Sequence, residues 1–177
     1  MTISLAIDTS TSSTIVGVID GNEVLFSHSH EGATDHGQAV SQLVAQALKV
    51  SGPPNQVVVG MGPGPFTGLR VGISFARAFA FARDIPVIGV CSLDAIAIDR
   101  ASYTVAIDAR RKEIYWARYQ DGKRIQGPEV GKPSEVADFI IDVYPDMKKL
   151  VSLSQSQNIA APMYLRRPDA VPTAERT

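Results

Sequence analysis

Four groups of residues have types and spacings that could do chemistry. Gly60-Met61-Gly62-Pro63-Gly64-Pro65-Phe66-Thr67-Gly68 is a glycine-rich loop. Asp8 and Asp108 each close a short apolar run. His28, His30 and His36 lie close together in sequence, and Cys91-Ser92 follows the apolar run Pro86–Val90. The loop stands between the β-branched run Gln56–Val59, a strand by its composition, and Leu69–Arg83, a proline-free apolar stretch expected to be a helix. Such a junction favours anions, because the first amides of a helix point outward unpaired. Two details argue against phosphate. The loop ends Thr67-Gly68-Leu69-Arg70 without the Gly-Lys-Ser/Thr of a phosphate loop. Pro63 and Pro65 each delete an N–H donor. A structural or partner-facing turn is the favoured reading, with Thr67 expected to cap the helix.

The histidines and the cysteine are weaker signals. A helical metal pair would need a second histidine four residues after His36, where the chain has Val40. His28 and His30 fall on one face of a strand, and no acidic partner is placed to complete a site with them. The single cysteine forms no internal disulfide and no zinc site by itself, which points to a reducing compartment. Cys91 sits where a nucleophile can sit, at a strand end, and also where a small core hydrophobe sits, which is the stronger expectation. Arg110, Arg111, Lys112, Tyr115, Trp116 and Arg118 mix basic and aromatic types as an RNA surface would. On a hairpin these alternate between faces, so core packing is expected for Tyr115 or Trp116.

The elements that must position these groups are legible from periodicity. Ile3–Ile7 is a strand and Thr14–Ile19 a second. Asp20-Gly21-Asn22 marks a hairpin, and Glu23–His28 is the return strand. His36–Val50 is a helix whose inner stripe is Val40, Leu43, Val44, Ala47 and Leu48. Its other face carries Gln38, Gln42, Gln46 and Lys49, polar but nearly uncharged, and amides are cheaper to desolvate than charges. The helix Leu69–Arg83 is apolar around most of its circumference, with Arg70, Ser74, Arg77 and Phe81 opposite Val71, Phe75, Phe79 and Ala82. Pro86–Val90 is a strand, and Ser92–Asp99 a short helix with Ser92 as its cap. A helix from about Ser134 to Tyr144 and a short strand near Leu150 follow later.

The pattern then returns. Leu5-Ala6-Ile7-Asp8 is echoed by Val105-Ala106-Ile107-Asp108, and the hairpin turns at Asp20-Gly21 and Asp121-Gly122 follow twelve and thirteen residues after the two aspartates. This suggests a duplicated domain. The division expected is residues 1–100 for a complete N-terminal lobe with the helices, and 101–177 for a shortened second lobe and tail. With 177 residues and net charge -1, no broad basic field is available for nucleic acid. No leader and no membrane span are expected, and the location expected is cytoplasmic.

The duplicated strand-hairpin-helix unit with an aspartate ending each first strand resembles the actin-like (ASKHA, ribonuclease H-like) α/β fold. ATPases of that fold keep a glycine near each aspartate for the phosphates. Here Asp8-Thr9-Ser10-Thr11 and Asp108-Ala109-Arg110-Arg111 have none. The loop Gly62–Gly68 with Leu69-Arg70-Val71-Gly72 is similar to the signature of the bacterial TsaB (YeaZ) family. So are Ile7-Asp8-Thr9-Ser10, His36, Ser92-Leu93-Asp94, Asp108–Tyr115 and Pro162-Met163-Tyr164-Leu165-Arg166. Pro65 stands where that family usually has serine, Gln38 where it usually has an acid, and the second lobe is shorter.

The resemblance implies a non-catalytic accessory subunit. It would be required with TsaD, its catalytic paralogue, and the ATPase TsaE for transfer of threonylcarbamoyl to N6 of the adenosine beside the anticodon of tRNA. It implies a TsaD heterodimer, a homodimer when alone, and tRNA contact only through the complex. Contacts are expected from Gln38, Gln42, Leu43, Ala47, Arg70, Ser74, Arg77 and Phe81, beside the signature loop Gly62, Pro63, Gly64, Phe66, Thr67 and Gly68. No cofactor of its own is expected. ADP or ATP would bind only at a shared interface, through Asp8, Ser10, Arg110 or Arg111. The rival readings are a metal-dependent glycoprotease-like hydrolase and a stand-alone nucleotide-binding actin-like protein.

Overall fold

The computed structural model describes residues 2–166. Two mixed sheets repeat one order. In the first, β1 (Ile3–Asp8), β2 (Ser13–Asp20) and β3 (Glu23–Glu31) form an antiparallel meander. β4 (Gln56–Gly60) and β5 (Val87–Val90) add parallel to β1, giving the order β3-β2-β1-β4-β5. In the second, β6 (Ser102–Asp108), β7 (Ile114–Gln120) and β8 (Lys123–Gly131) form the same meander. β9 (Phe139–Ile140) pairs parallel to β6, so the order is β8-β7-β6-β9. Asp8 pairs across to Ile15 and Asp108 to Ile114, so the two aspartates hold equivalent places. This is the duplicated α/β architecture of actin-like proteins, complete in the first sheet and curtailed in the second.

The helices follow from the pattern. α1 (His36–Ser51) and α2 (Phe66–Phe81) lie on one face of the first sheet. Leu43, Val44, Leu69, Ile73 and Phe79 pack there against Leu5, Val16, Val57 and Val59. Each large apolar side chain so buried contributes roughly 1.5–3 kcal/mol. Parallel strands covered on both faces read as continuous apolar runs, and β4 is one. α3 (Met147–Leu153) covers the opposite face, where Met147 and Leu150 meet Ala6, Ile15, Ile19 and Val58. Thus the chain returns to the first sheet after building the second.

Several sequence expectations are corrected. α2 begins at Phe66, earlier than Leu69, with Pro65 at its N-cap position and no side-chain cap, so Thr67 lies inside the first turn. Ser92 caps nothing; only a 3-10 turn forms, at Leu93–Ala95. The helix expected near 134–144 is a 3-10 turn, Pro133–Glu135, followed by β9. Asp138 and Asp142 bracket that strand at φ 49° and 60°, a left-handed conformation that does not propagate a helix, and Phe139 and Ile140 instead satisfy the open edge of β6. The strand expected near Leu150 is α3, started by Asp146, whose carboxylate accepts from the Lys149 N–H at 2.7 Å. Tyr115 and Trp116 are both buried, on opposite faces of the second sheet.

Candidate functional site

The motif residues scattered through the first hundred positions converge where β1, β5, α1 and α2 meet. Asp8 is 0% exposed. Its Oδ1 accepts from the Ser10 N–H at 2.8 Å and the Ser10 hydroxyl at 2.6 Å. Its Oδ2 accepts from the Ser92 hydroxyl at 2.6 Å. The Ser92 oxygen in turn accepts from the Gly62 N–H at 3.1 Å. Burial raises the Asp8 pKa above its ordinary value, and the hydrogen bonds from Ser10 and Ser92 and the nearby His36 offset part of that rise.

The signature glycines are explained by close approach. A Cβ at Gly64 would stand 2.5 Å from the Ser10 carbonyl oxygen, and one at Gly68 would stand 2.7 Å from that of Thr9. Thr9 donates its hydroxyl to the Gly68 carbonyl at 2.8 Å. The loop and first turn of α2 are therefore pressed onto Thr9-Ser10. The loop backbone lies directly against Thr9-Ser10, beside the first aspartate.

His36 closes the same cluster. Its Nδ1 lies 2.8 Å from the Thr14 hydroxyl, and its Nε2 faces Gly68. Burial lowers its pKa, against the opposing pull of Asp8 and Asp35. The stability consequence has a definite sign. The folded-state pKa lies below 6.5, so the contribution of neutral His36 is full above that value. It is lost as pH falls below it, because the unfolded chain takes up the proton first. We expect the melting temperature to fall between pH 7.5 and 5.5, and the fall to be smaller in His36→Gln. An equal slope in both proteins, measured by thermal scans, would contradict this assignment.

Ser92 donates to a carboxylate and not to an imidazole, and both groups are buried. Cys91 is buried, its N–H donates to Gln157 Oε1, and burial, then the charge of Asp94, pushes its thiol up to about 12, so the thiolate is not available near neutrality. The His28 ring packs tilted against Phe26 on the exposed strand β3 while His36 faces inward to Thr14.

The nucleotide residues do not converge. Asp8 and Ser10 are sealed under the loop, whereas Arg110 lies across the cleft between the sheets. That correction has a simple cause: Asp8 turns inward to Ser92, but its counterpart Asp108 faces solvent and pairs with Arg110 at 3.6 Å. Thr11 and Ser12, with Pro65 and Tyr144, line the cleft instead. Its volume of about 220 Å³ is below the 300–1,000 Å³ usual for small-molecule sites. Arg110, Arg111 and Lys112 all have positive φ and form a tight left-handed turn at its rim.

The outer faces of α1 and α2 are exposed. On α2, Phe66, Arg70, Ser74, Arg77 and Phe81 form one exposed stripe, with Phe81 90% exposed. On α1, Gln38, Gln42, Gln46 and Lys49 are exposed. Leu43 and Ala47, expected on this surface, are corrected: they are 7% and 0% exposed and belong to the core, as their place in the inner stripe of α1 demands. Tyr164 of the C-terminal motif, which sequence reasoning did not place on this surface, has its ring 4.7 Å from that of Phe66 while Arg70 sits 5.1 Å from the centre of the same ring. Arg77 donates to the Ala160 carbonyl at 2.9 Å, so the segment around Ala160 flanks α2.

Comparison with known proteins gives consistent relatives. Residues 28–171 match the family model described as TsaD, tRNA N6-adenosine threonylcarbamoyltransferase. The chain is 36% identical to the tRNA threonylcarbamoyladenosine biosynthesis protein TsaB of Escherichia coli, a match covering 66% of this chain and 54% of that protein. It therefore spans about half the length of that curated relative. An uncharacterized protein of Mycobacterium tuberculosis is 39% identical over 96% of this chain and 94% of its own length. Among solved structures, YeaZ from Pseudomonas aeruginosa superposes with a TM-score of 0.75 at 26% identity, over 88% of this chain and 91% of that one.

Proposed function

This chain belongs to the TsaB (YeaZ) family, and from that premise we propose that it serves threonylcarbamoyladenosine formation on tRNA as a non-catalytic accessory subunit. It docks on a TsaD-type paralogue through the exposed stripe of α2 and the amide face of α1. The observation that carries this reading is the sealed first aspartate. Asp8 is fully buried with its carboxylate taken up by Ser10 and Ser92, and the protein's own loop is pressed onto Thr9-Ser10 beside it. What remains accessible is a two-helix face with Phe81, Arg70 and Arg77 on it, aromatic and arginine residues being enriched at interfaces.

No cofactor is held by this chain alone. ADP or ATP binds only where this chain and its partner share a surface, and TsaE and tRNA engage the assembled complex. The setting is the cytoplasm, where tRNA is modified; among the described residues no helix is long and apolar enough to cross a membrane. The test is sedimentation of this chain mixed with the TsaD-type protein of the same genome. A stoichiometric heterodimer is expected, and two species sedimenting independently at micromolar concentrations would overturn the docking reading.

A further inference from the structure

We infer that residues 157–166 are a clasp across the cleft between the sheets, held fast at Gln157 and releasable at Arg166, so that the lobes part at the cleft only when Arg166 lets go. This goes beyond the docking reading and depends on no partner. The chain crosses from the first sheet to the second through residues 91–101 and returns through residues 141–146. The two crossings touch: Ile96 bridges to Pro145, and the Asp146 N–H donates to the Ala95 carbonyl at 2.9 Å. Paired crossings of this kind can turn as a hinge. Residues 157–166 then lie against both lobes, with Ile159 packed on each of the two cores.

The fast end lies near the hinge. Gln157 accepts from the Cys91 N–H at 2.9 Å and donates to Asp94 Oδ2 at 2.7 Å. Asp94 Oδ1 accepts from the Tyr119 hydroxyl at 2.7 Å, and Arg124 lies 3.4 Å from the same oxygen. Tyr119 stands opposite Tyr103 at the start of β6. One buried carboxylate thus gathers the first lobe, the second lobe and the C-terminal segment. Further along, the Ile159 N–H donates to the Gly89 carbonyl and the Met163 N–H to the Met61 carbonyl, both at 2.8 Å. A Cβ at Gly89 would collide with the Ile159 carbonyl oxygen, so the segment is seated closely on the edge of β5.

The other end is held differently. Arg166 donates to the Ala109 carbonyl at 2.9 Å and pairs with Glu113. Ala109 and Glu113 flank the left-handed turn Arg110–Lys112 at the cleft rim. That turn follows the end of β6, a strand of seven residues, so the two anchors stand roughly 20 Å apart. The side chains of Arg166 and Glu113 are 23% and 33% exposed. A part-exposed ion pair is screened and contributes little net stability, whereas loss of Gln157 would leave a buried carboxylate short of a donor. This asymmetry makes Arg166 the latch. Its release frees the rim away from the hinge and widens the cleft of about 220 Å³ between Thr11-Ser12 and Asp108 with Arg110.

The experiment is a pulsed electron-resonance distance between spin labels on Glu31→Cys and Ser134→Cys, exposed residues beside the cleft ends of the two sheets. Cys91 is buried and stays in place. The labelled parent should give one distance. Arg166→Ala should add a second, longer one, with a melting temperature within a few degrees of the parent. Gln157→Ala should lower the melting temperature by roughly 3–10 °C. A single parental distance in Arg166→Ala would overturn the inference, as would two distances already present in the parent. A loss of stability in Arg166→Ala as large as that in Gln157→Ala would also overturn it, by making Arg166 a part of the packed fold and not a latch.

Discussion

Gly60→Ala should be among the most damaging single substitutions in the chain. A Cβ at that position would fall inside contact distance of Asp8 Oδ2, 2.8 Å from Asp8 Cγ and 2.5 Å from Ser92 Oγ. None of these neighbours is the loose end of a flexible side chain. Asp8 is fixed by three hydrogen bonds from Ser10 and Ser92, and Ser92 is fixed by Asp8 and the Gly62 N–H. Overpacking costs about 1–3 kcal/mol, and each buried bond to a charged group lost in making room costs about 1.5–3 kcal/mol more. A total of about 3–5 kcal/mol is expected, against a usual domain stability of 5–15 kcal/mol. At this chain length that is a drop of roughly 10–15 °C in melting temperature, or failure to fold. Gly21→Ala is the control: φ is +58° but nothing lies within 4 Å, so the loss should stay near 1 kcal/mol. If Gly60→Ala melts within a few degrees of wild type, the Asp8 cluster is not the keystone described above.

Phe81→Glu should do the opposite, sparing the fold and removing the interaction. The side chain is 90% exposed at the last position of α2, so the substitution should change stability by no more than about 0.5 kcal/mol. In a complex, a central aromatic anchor contributes about 2–4 kcal/mol, and a carboxylate buried in its place adds a desolvation cost. At 1.4 kcal/mol per tenfold, affinity for the TsaD-type partner should fall by about a hundredfold or more. Thermal scans and calorimetry on the same preparation separate the outcomes. Normal affinity with normal melting would place the interface elsewhere, and a large loss of stability would place Phe81 in the core.

The first sheet was readable because its signals are local and agree with one another. Gln56–Val59 is a β-branched run of strand length, Asp20-Gly21 makes a tight turn, and the apolar stripe of α1 has helical spacing. The duplication was readable from the paired aspartates. The stretch from Ser134 to Leu153 was not, because short apolar runs serve either element. There the left-handed Asp138 and Asp142 and the open edge of β6 decide for a strand, and the capping carboxylate of Asp146 decides for a helix. The candidate site divides in the same way. Exposure of Gln38, Gln42, Arg70, Ser74, Arg77 and Phe81 follows from helical periodicity. The bond between Asp8 and Ser92 joins residues 84 apart in sequence, and no spacing rule reaches across that distance. Leu43 and Ala47 show the remaining error: one residue cannot serve both the inner stripe and the outer face.

The central claim is that this chain supports the transfer without performing it. The measurement is threonylcarbamoyl transfer to tRNA by the TsaD-type protein and TsaE, with threonylcarbamoyl-adenylate supplied, with this chain present, absent, or replaced by Phe81→Glu. The account predicts transfer only when the intact chain is present, little with Phe81→Glu, and none from this chain alone. Full transfer in its absence would contradict the accessory role, and transfer by this chain alone would contradict its lack of chemistry.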